Sequence, residues 1–254
     1  MDISQETTTT FADGLDDVEV ALLPVGSVEQ HGPALPLGTD FMAAEAVAEE
    51  VAEREDALLL PTLPVGVSEH HRQFHGTLWT DPETFENYVA DVLSSVASHG
   101  VRKAVIVNGH GGNEDAITRV ARRLRGEETM FAAPWNWWSD LGGLEEAIFG
   151  EAGIAHADEV ETSMMLHLQG DHVREDALEE AEEGAAPFWG ETQNGAQVSF
   201  DTTDFSESGV VGNPTHGSAD AGERLFERSA EELGSLVDWL GDQAFEALMP
   251  EEHR

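Results

Sequence analysis

Residues 24–40, PVGSVEQHGPALPLGTD, concentrate side chains that can bind metal ions. Glu29, His31 and Asp40 lie in this stretch, which is rich in glycine and proline and follows the apolar run Val18 to Val25. The apolar run predicts a buried strand. Because residues two apart in an extended segment point the same way, Glu29 and His31 can face one metal pair. The stretch therefore predicts a metal site just beyond a core strand.

Asp40 has a second interpretation, because it stands where a helix is predicted to begin. A lone aspartate at such a position is usually a helix N-cap. With Glu29 and His31 close by in the sequence, Asp40 becomes a candidate metal ligand that can also act as a cap.

His110 lies in a glycine-rich turn, NGHGGN, between a predicted strand and a predicted helix. Backbone amides in such a turn can bind phosphate, but this one lacks the Lys-Ser/Thr ending of a P-loop and the GxGxxG spacing. The glycines are better explained as letting the backbone pass close to a metal site. His110 is then a candidate ligand.

His156 and Glu161 occur in AHADEVETSMML, at the start of another predicted helix. The helix dipole at this end favours anions and metal-bound carboxylates. By itself Glu161 would be a surface glutamate, but the apolar run Met164 to Leu166 indicates that it faces inward.

The segment from Ser68 to His75 supplies candidates for a substrate pocket. His70, His71 and His75 lie in this one loop, where they can bind metal but are better explained as pocket walls. Ser68 is a further substrate-binding candidate. Trp135 belongs to the cluster WNWW, for which core packing is the alternative to a wall against a flat heterocyclic substrate.

The predicted elements that position these residues alternate between strand and helix. Strands are predicted at 18–25, 57–63, 103–107 and 130–133, and helices at 40–55, 82–98, 114–124, 157–168 and 218–248, the last interrupted near Gly241. Residues 181–206 predict a long loop. The alternation indicates one α/β domain, residues 1–254, with a mostly parallel sheet. In such sheets ligands bind beyond the carboxyl ends of the strands, where the polar groups described above fall.

The composition narrows the function further. The 254 residues include 51 acidic and 12 basic side chains, a net charge of −39, and no cysteine. Nucleic-acid binding through a basic face is excluded, and any metal must use nitrogen and oxygen ligands. No apolar run is long enough for a membrane span. The N-terminus lacks the features of a signal peptide, so a cytoplasmic location is expected. The acidity suggests a folded protein adapted to high salt.

Five motifs, LPVGSVEQHGPALPLGTD, VGVSEHHRQFHGT, VNGHGGN, HADEVETS and GVVGNPT, resemble in this order those of the creatininase family of metal-dependent amidohydrolases. The resemblance covers residues 20–168 and 209–222. It implies a three-layer α/β/α domain, two divalent metal ions per chain (Zn, Mn or Fe(II)) and a homo-oligomer, often a hexamer. It also implies His156 as the catalytic residue, Asp40 as the bridge between the ions, and as metal ligands Glu29, His31, Asp40, His110 and Glu161.

Two glycines bear on the substrate. Creatinine-specific members of the family have Tyr and Glu after the histidine of NGH, where this chain has Gly111 and Gly112. The plain form is similar to an archaeal deformylase and to a peptidase-like branch that matures peptide-derived redox cofactors. Other departures are Asp158, where many relatives have Gly, and His75, where many have Pro.

The resemblance implies hydrolysis of a non-peptide amide C–N bond in a small molecule by a metal-activated water, with His156 carrying the proton to the leaving nitrogen. The first prediction for the substrate is 2-amino-5-formylamino-6-ribosylaminopyrimidin-4(3H)-one 5'-phosphate, which would be deformylated. Creatinine hydrolysis is the alternative within the family. Two alternatives from other classes are a non-catalytic metal- or nucleotide-binding protein and a phosphate-binding transferase that uses the glycine-rich turn.

Overall fold

The central sheet has four parallel strands in the order β2-β1-β3-β4. The structure is a computed structural model that describes residues 1–141, 143–150 and 155–251. The strands of this sheet are β1 (Val20–Val25), β2 (Ala57–Leu59), β3 (Lys103–Asn108) and β4 (Phe131–Asn136).

Helices cover both faces of the sheet. In chain order the α-helices of the described residues are α1 (Thr8–Gly14), α2 (Thr39–Arg54), α3 (Pro82–Ala97), α4 (Glu114–Gly126), α5 (Leu144–Phe149), α6 (Glu159–Gln169), α7 (Leu178–Glu183), α8 (Ala219–Gly241) and α9 (Phe245–Leu248). Because successive strand residues point to opposite faces, β1 serves two cores. Val20 and Leu22 pack with α2, α6 and α8, whereas Ala21 and Leu23 pack with α3 and α4. The predicted three-layer α/β/α fold with a parallel central sheet is confirmed.

Two strands differ in extent from the prediction. The second strand was predicted to reach residue 63, but β2 ends at Leu59. β2 lies at one edge of the sheet, and beyond Leu59 this segment keeps a single parallel bridge among the described residues, from Leu63 to Val25. β4 instead continues through Pro134 to Asn136, because an edge strand tolerates proline.

The predicted long loop at 181–206 contains short elements. Its first residues belong to the end of α7, and it carries an antiparallel hairpin of β5 (Thr192–Gln193) and β6 (Ala196–Gln197). The predicted interruption near Gly241 is confirmed, since α8 ends there and α9 begins at Phe245. Among the described residues, no helix is both long and apolar enough to cross a membrane.

The register of the sheet brings the functional loops to one edge. Val25 at the end of β1 pairs with Asn108 at the end of β3, and Asn108 pairs with Asn136 at the end of β4. The loop that follows β1 carries Glu29 and His31, and the turn that follows β3 carries His110. The parallel strands therefore deliver these side chains to the same end of the sheet.

Candidate metal centre and active site

Five side chains that were predicted as metal ligands converge in the interior. The loop after β1 supplies two, the first turns of α2 and α6 supply one each, and the turn after β3 supplies the fifth. All five are buried, and they are Glu29, His31, Asp40, His110 and Glu161. Segments far apart in the chain thus form one cluster of carboxylates and imidazoles.

Asp40 lies at the middle of this cluster. Its Oδ1 is 2.9 Å from His31 Nε2, and its Oδ2 is 3.2 Å from His110 Nδ1. Glu29 Oε2 is also 3.2 Å from His110 Nδ1, and Glu161 Oε2 is 3.5 Å from His31 Nε2. Asp40 therefore belongs to two groups of candidate metal ligands. One contains His110 and Glu29, and the other contains His31 and Glu161.

The outer ring nitrogens of both histidines contact backbone carbonyls. His31 Nδ1 lies 3.2 Å from the carbonyl oxygen of Glu29, and His110 Nε2 lies 3.0 Å from that of Val67. A carbonyl only accepts, so the outer nitrogen donates its hydrogen and a neutral ring leaves the inner nitrogen with a lone pair. Metal-binding histidines typically have this arrangement.

Several buried atoms of the cluster lack hydrogen-bond partners. Within the described residues these atoms include both Glu29 carboxylate oxygens, His31 Nε2, Asp40 Oδ2 and His71 Nε2. An unsatisfied buried polar group is costly, more so when charged. Carboxylate oxygens and imidazole nitrogens are ligands for Zn, Mn and Fe(II) alike. The donor set therefore fits divalent metal ions.

Asp40 reaches this position from the first turn of α2 and is not the helix cap. The helix begins at Thr39, and Gly38 occupies the N-cap position. The close approach of the backbone depends on glycine, because a Cβ at Gly109 would collide with the carbonyl oxygen of Asp40. The glycine of the NGHGGN turn thus allows the end of β3 to lie against the start of α2.

Burial and charge act against each other on these groups. Burial lowers the pKa of His31, but Asp40, Glu161 and Glu29 outweigh it and raise the pKa to about 10. Burial raises the pKa of Asp40, but His31 and His110 outweigh it and hold that pKa below its ordinary range. Burial also raises the pKa of Glu161 to about 8, against the attraction of His31. Without metal, His31 and Glu161 are therefore protonated at pH 7.

Metal binding is expected to release protons, because ligands must be deprotonated. At pH 7 we expect at least one proton per chain, from His31 and Glu161, and metal affinity that rises with pH. Titration calorimetry with Zn²⁺ in buffers of different ionisation enthalpy measures the release. The proton release should shrink toward pH 10, because this pH reaches the pKa of His31 and lies above that of Glu161. Heats that do not depend on the buffer at pH 7 would contradict the prediction.

His156 lies beside the cluster, just before α6. Its Nε2 contacts the carbonyl oxygen of Gln30 at 2.9 Å, and its Nδ1 lies 3.8 Å from Glu29 Oε1. Burial, followed by the neighbouring His31 charge, lowers the pKa of His156 well below its ordinary value. A neutral ring that donates from Nε2 to this carbonyl directs a lone pair at Nδ1 toward the cluster, which is a suitable position for a proton acceptor.

Asp158 caps α6 and holds the backbone between His156 and Glu161 in place. Its buried carboxylate accepts from the backbone N–H groups of Val160 and Glu161, both at 2.9 Å, and from that of Ala155 at 2.7 Å. The sequence alone marked Asp158 only as a departure from its relatives. The structure makes it the residue that fixes the helix turn carrying Glu161.

Asp158→Ala is expected to destabilise the fold by about 2 kcal/mol, the upper end for an N-cap, which corresponds to a fall in Tm of roughly 4–8 °C. Because Glu161 loses its support, zinc affinity should fall about tenfold. Thermal unfolding and zinc titration measure both. Ser218→Ala is the matched control, since it removes the cap of α8. Equal zinc affinity in the two variants would refute the link to Glu161.

The three predicted substrate-binding residues lie outside the cavity at the cluster. Ser68 is buried and donates to the carbonyl oxygen of Leu78 at 2.9 Å. His75 lines a separate surface cavity, and Trp135 packs against the core because it lies on β4. The three residues were predicted from loop position and aromatic character, and the described lining of this cavity does not include them.

The cavity over the cluster has a volume of about 180 Å³. Some of the residues that line it were not predicted to bind substrate. His70 and His71 line it, as the prediction of pocket walls requires, and so do Trp138 and Trp189. Trp189 comes from the predicted long loop, and its ring lies edge-on to His71 and His156 at 6.0 and 5.9 Å. The sequence signal that could have identified Trp189 is a large aromatic side chain in an otherwise polar loop.

Comparisons with known proteins agree with this geometry. The family model named Creatininase, described as creatinine amidohydrolase, matches residues 4–237. A mycofactocin precursor peptide peptidase of Mycobacterium tuberculosis is 33% identical over 230 residues, which cover 86% of this chain and 85% of that protein. A 2-amino-5-formylamino-6-ribosylaminopyrimidin-4(3H)-one 5'-monophosphate deformylase of Methanothermobacter thermautotrophicus is 41% identical over 109 residues, 41% of this chain and 46% of that protein.

A solved structure extends the similarity to the whole fold. A mutant creatininase of the Zn–Zn type superposes with a TM-score of 0.79 and 25% identity, covering 95% of this chain and 98% of that one. The family match, the full-length relative and the cluster of carboxylates and imidazoles agree. This chain belongs to the creatininase family and is a metal-dependent amidohydrolase.

Proposed function

We propose that this protein hydrolyses an amide bond of a small, peptide-like substrate with divalent metal ions held by the buried cluster. The observation that carries the proposal is the set of buried carboxylate and imidazole atoms that face one another beneath the cavity without forming hydrogen bonds. In the proposed site the metal ligands are Glu29, His31, Asp40, His110 and Glu161.

The proposed ligands divide into two groups that share Asp40. Its Oδ2 faces His110 and its Oδ1 faces His31, so Asp40 would hold two ions at once. When bound, the ions supply an activated water as nucleophile and polarise the amide carbonyl.

His156 would move the proton in this reaction. If His156 Nε2 donates its hydrogen to the carbonyl of Gln30, Nδ1 is unprotonated and its lone pair faces the cluster. The ring can accept a proton at Nδ1 and deliver it to the leaving nitrogen, as a general base and then a general acid. Burial in a neutral state favours the acceptor form before the reaction.

The lining of the cavity favours an uncharged or apolar group beside the scissile amide. Of the described residues that line it, none is lysine or arginine, whereas Trp138 and Trp189 both do so. A phosphorylated substrate would need cationic partners near its phosphate. The peptidase relative, whose name gives a precursor peptide as substrate, matches most of the chain. These two observations move the proposal from the formylaminopyrimidine to a peptide-like amide.

Deformylation is the second candidate. The deformylase relative is 41% identical, although over 109 residues, and Gly111 and Gly112 fit that branch as they fit the peptidase branch. Creatinine hydrolysis has less support. A Cβ at Gly112 would collide with the carbonyl oxygen of Val67 and with His110 Nε2, so this backbone has no room for the glutamate of creatinine-specific members.

A side-by-side assay tests the proposal. The purified protein, in high salt with added Zn²⁺ or Mn²⁺, is given short peptides with aromatic residues, the formylaminopyrimidine 5'-phosphate and creatinine. We expect the peptides to be cleaved with the highest kcat/KM. Faster deformylation, or faster creatinine hydrolysis, would replace the proposed substrate class. Asp40→Asn protein from the same preparation controls for contaminating hydrolases.

A further inference from the structure

Four histidines direct one ring nitrogen toward the cluster, and they differ in what holds the other nitrogen. For His31, His110 and His156 the outer nitrogen meets a backbone carbonyl at 3.2, 3.0 and 2.9 Å. A carbonyl only accepts, so these three rings, when neutral, keep their hydrogen outside and a lone pair inside.

His71 is the exception, because the contacts of its outer nitrogen are a side-chain amide and a hydroxyl, and not a backbone carbonyl. His71 Nδ1 lies 2.8 Å from Gln30 Nε2 and 2.9 Å from Thr202 Oγ1. The orientation of the Gln30 amide follows from its two backbone contacts. Oε1 accepts from the N–H of Gly32 at 3.0 Å, and Nε2 donates to the carbonyl of Gly209 at 3.0 Å. One hydrogen on Nε2 remains.

Two rings lie within reach of that remaining hydrogen. Gln30 Nε2 is 2.8 Å from His71 Nδ1 and 2.8 Å from His156 Nε2. His156 Nε2 also lies 2.9 Å from the Gln30 backbone carbonyl, which can only accept, so we assign the hydrogen of the neutral ring to Nε2, which then cannot accept from the amide. The amide hydrogen therefore goes to His71 Nδ1. The Thr202 hydroxyl is compatible with an unprotonated Nδ1, because its single hydrogen can go to His71 Nδ1 at 2.9 Å instead of the carbonyl of His70 at 3.1 Å.

A ring nitrogen that accepts a hydrogen bond carries no proton, so the neutral His71 ring has its hydrogen on Nε2. This inner nitrogen lies 3.3 Å from Glu29 Oε1. We propose that Gln30 is a positioning residue that places the ring hydrogen of neutral His71 on Nε2, which faces the cluster, while the neutral rings of His31, His110 and His156 offer lone pairs there.

The assignment decides between two roles for His71. Its Nε2 is close enough to Glu29 and His156 for the three to hold an ion together. With its hydrogen on Nε2, His71 is not a ligand but directs an N–H toward Glu29 Oε1. Glu29 Oε2, which faces His110, is then the oxygen left for a metal ion.

The surroundings of Gln30 are built for its amide. Gln30 is buried, and Gly209 has a φ of +87° that favours glycine. A Cβ at Gly209 would also collide with Gln30 Oε1. The chain at Gly209 therefore depends on glycine both for its conformation and for the space that the amide occupies.

The first test is a spectrum of the wild-type protein. Protein labelled with ¹⁵N at histidine, loaded with Zn²⁺ and then metal-free, reports which ring nitrogen carries hydrogen. Loss of signals in His71→Gln assigns His71. We expect Nε2 of His71 to be protonated and Nδ1 to be unprotonated. A proton on Nδ1 in the zinc-loaded protein would overturn the proposal.

The second test inverts the hydrogen bond. In Gln30→Glu the carboxylate accepts from His71 Nδ1, which leaves a lone pair on Nε2 and adds a ligand, so Zn²⁺ affinity should rise about tenfold. The rise should disappear in Gln30→Glu with His71→Ala. Gln193→Glu, at an exposed position on β5, controls for the added charge. A gain that persists without His71, or no gain, would refute the assignment.

Gln30→Met provides a variant that removes the amide without adding charge. It should leave His71 free to exchange between its two neutral forms, visible as averaged ¹⁵N shifts, and an unchanged His71 spectrum would count against Gln30. The inference rests on the proposed metal site only in the zinc measurements. If the wild type bound no Zn²⁺, the metal site would be wrong, and the metal-free spectrum would then decide the role of Gln30.

Discussion

Asp40→Asn is expected to abolish hydrolysis while the fold is retained. Asparagine has nearly the same shape, but it lacks the charge and the second carboxylate oxygen that faces His110. If Asp40 bridges two ions, its loss weakens both at once. Metal-ion catalysis contributes several kcal/mol to transition-state stabilisation, and a loss of about 4 kcal/mol lowers the rate roughly 10³-fold. We therefore expect at least this decrease in kcat/KM.

Elemental analysis shows whether the rate loss comes from the metal. Wild-type protein should contain up to two Zn, Mn or Fe ions per chain, and Asp40→Asn should contain fewer. Asp91→Asn, at an exposed position on α3, is the matched control and should resemble the wild type. An Asp40→Asn protein with full metal content and normal turnover would remove Asp40 from the centre. A metal-free wild-type protein with full activity would show that the metal assignment is wrong.

His156→Ala is expected to keep its metal and lose hydrolysis. The ring is assigned to proton transfer, and loss of a general acid–base group typically lowers the rate on the order of 10²–10⁴-fold. The metal should remain because the five proposed ligands are untouched. The readouts are kcat on the peptide substrate and metal content of the same sample. Added imidazole should restore part of the rate if the missing function is proton transfer.

The alternative for His156 is a ligand role, since it lies close enough to His31 and Glu161 to share an ion with them. Loss of metal in His156→Ala would favour that role over proton transfer. Unchanged turnover would exclude both roles. His172→Ala, at an exposed position outside the cavity lining, is the control for removing a histidine.

Much of the fold was accessible from local sequence, because periodic apolar patterns report which face of an element is buried. The predicted strands and helices exist, and their order led to the three-layer architecture. The predicted second strand extended past its observed end at Leu59, and the predicted fourth strand stopped short of Asn136. Pro134 lies in edge strand β4, where a missing donor is tolerated, and this position cannot be read from local sequence.

The candidate ligands were also accessible, because carboxylates and histidines at the ends of predicted parallel strands must meet at one edge. The surroundings of the cluster were not. Ser68 and His75 lie in the same loop as His71, yet His71 alone of the three lines the cavity. Direction of a side chain within an irregular loop depends on contacts to distant segments, such as that between His71 and Thr202.

The sequence by itself determined that this protein carries a set of candidate carboxylate and imidazole ligands on a parallel α/β scaffold, since residue type and strand order suffice for that. Tertiary structure alone decided how those groups face one another. Asp40 directs one oxygen to each imidazole, and Gln30 contacts His71 and His156, which lie 41 and 126 residues away. Such roles depend on distances between segments and on the hydrogens that their atoms share, and neither is encoded in local spacing.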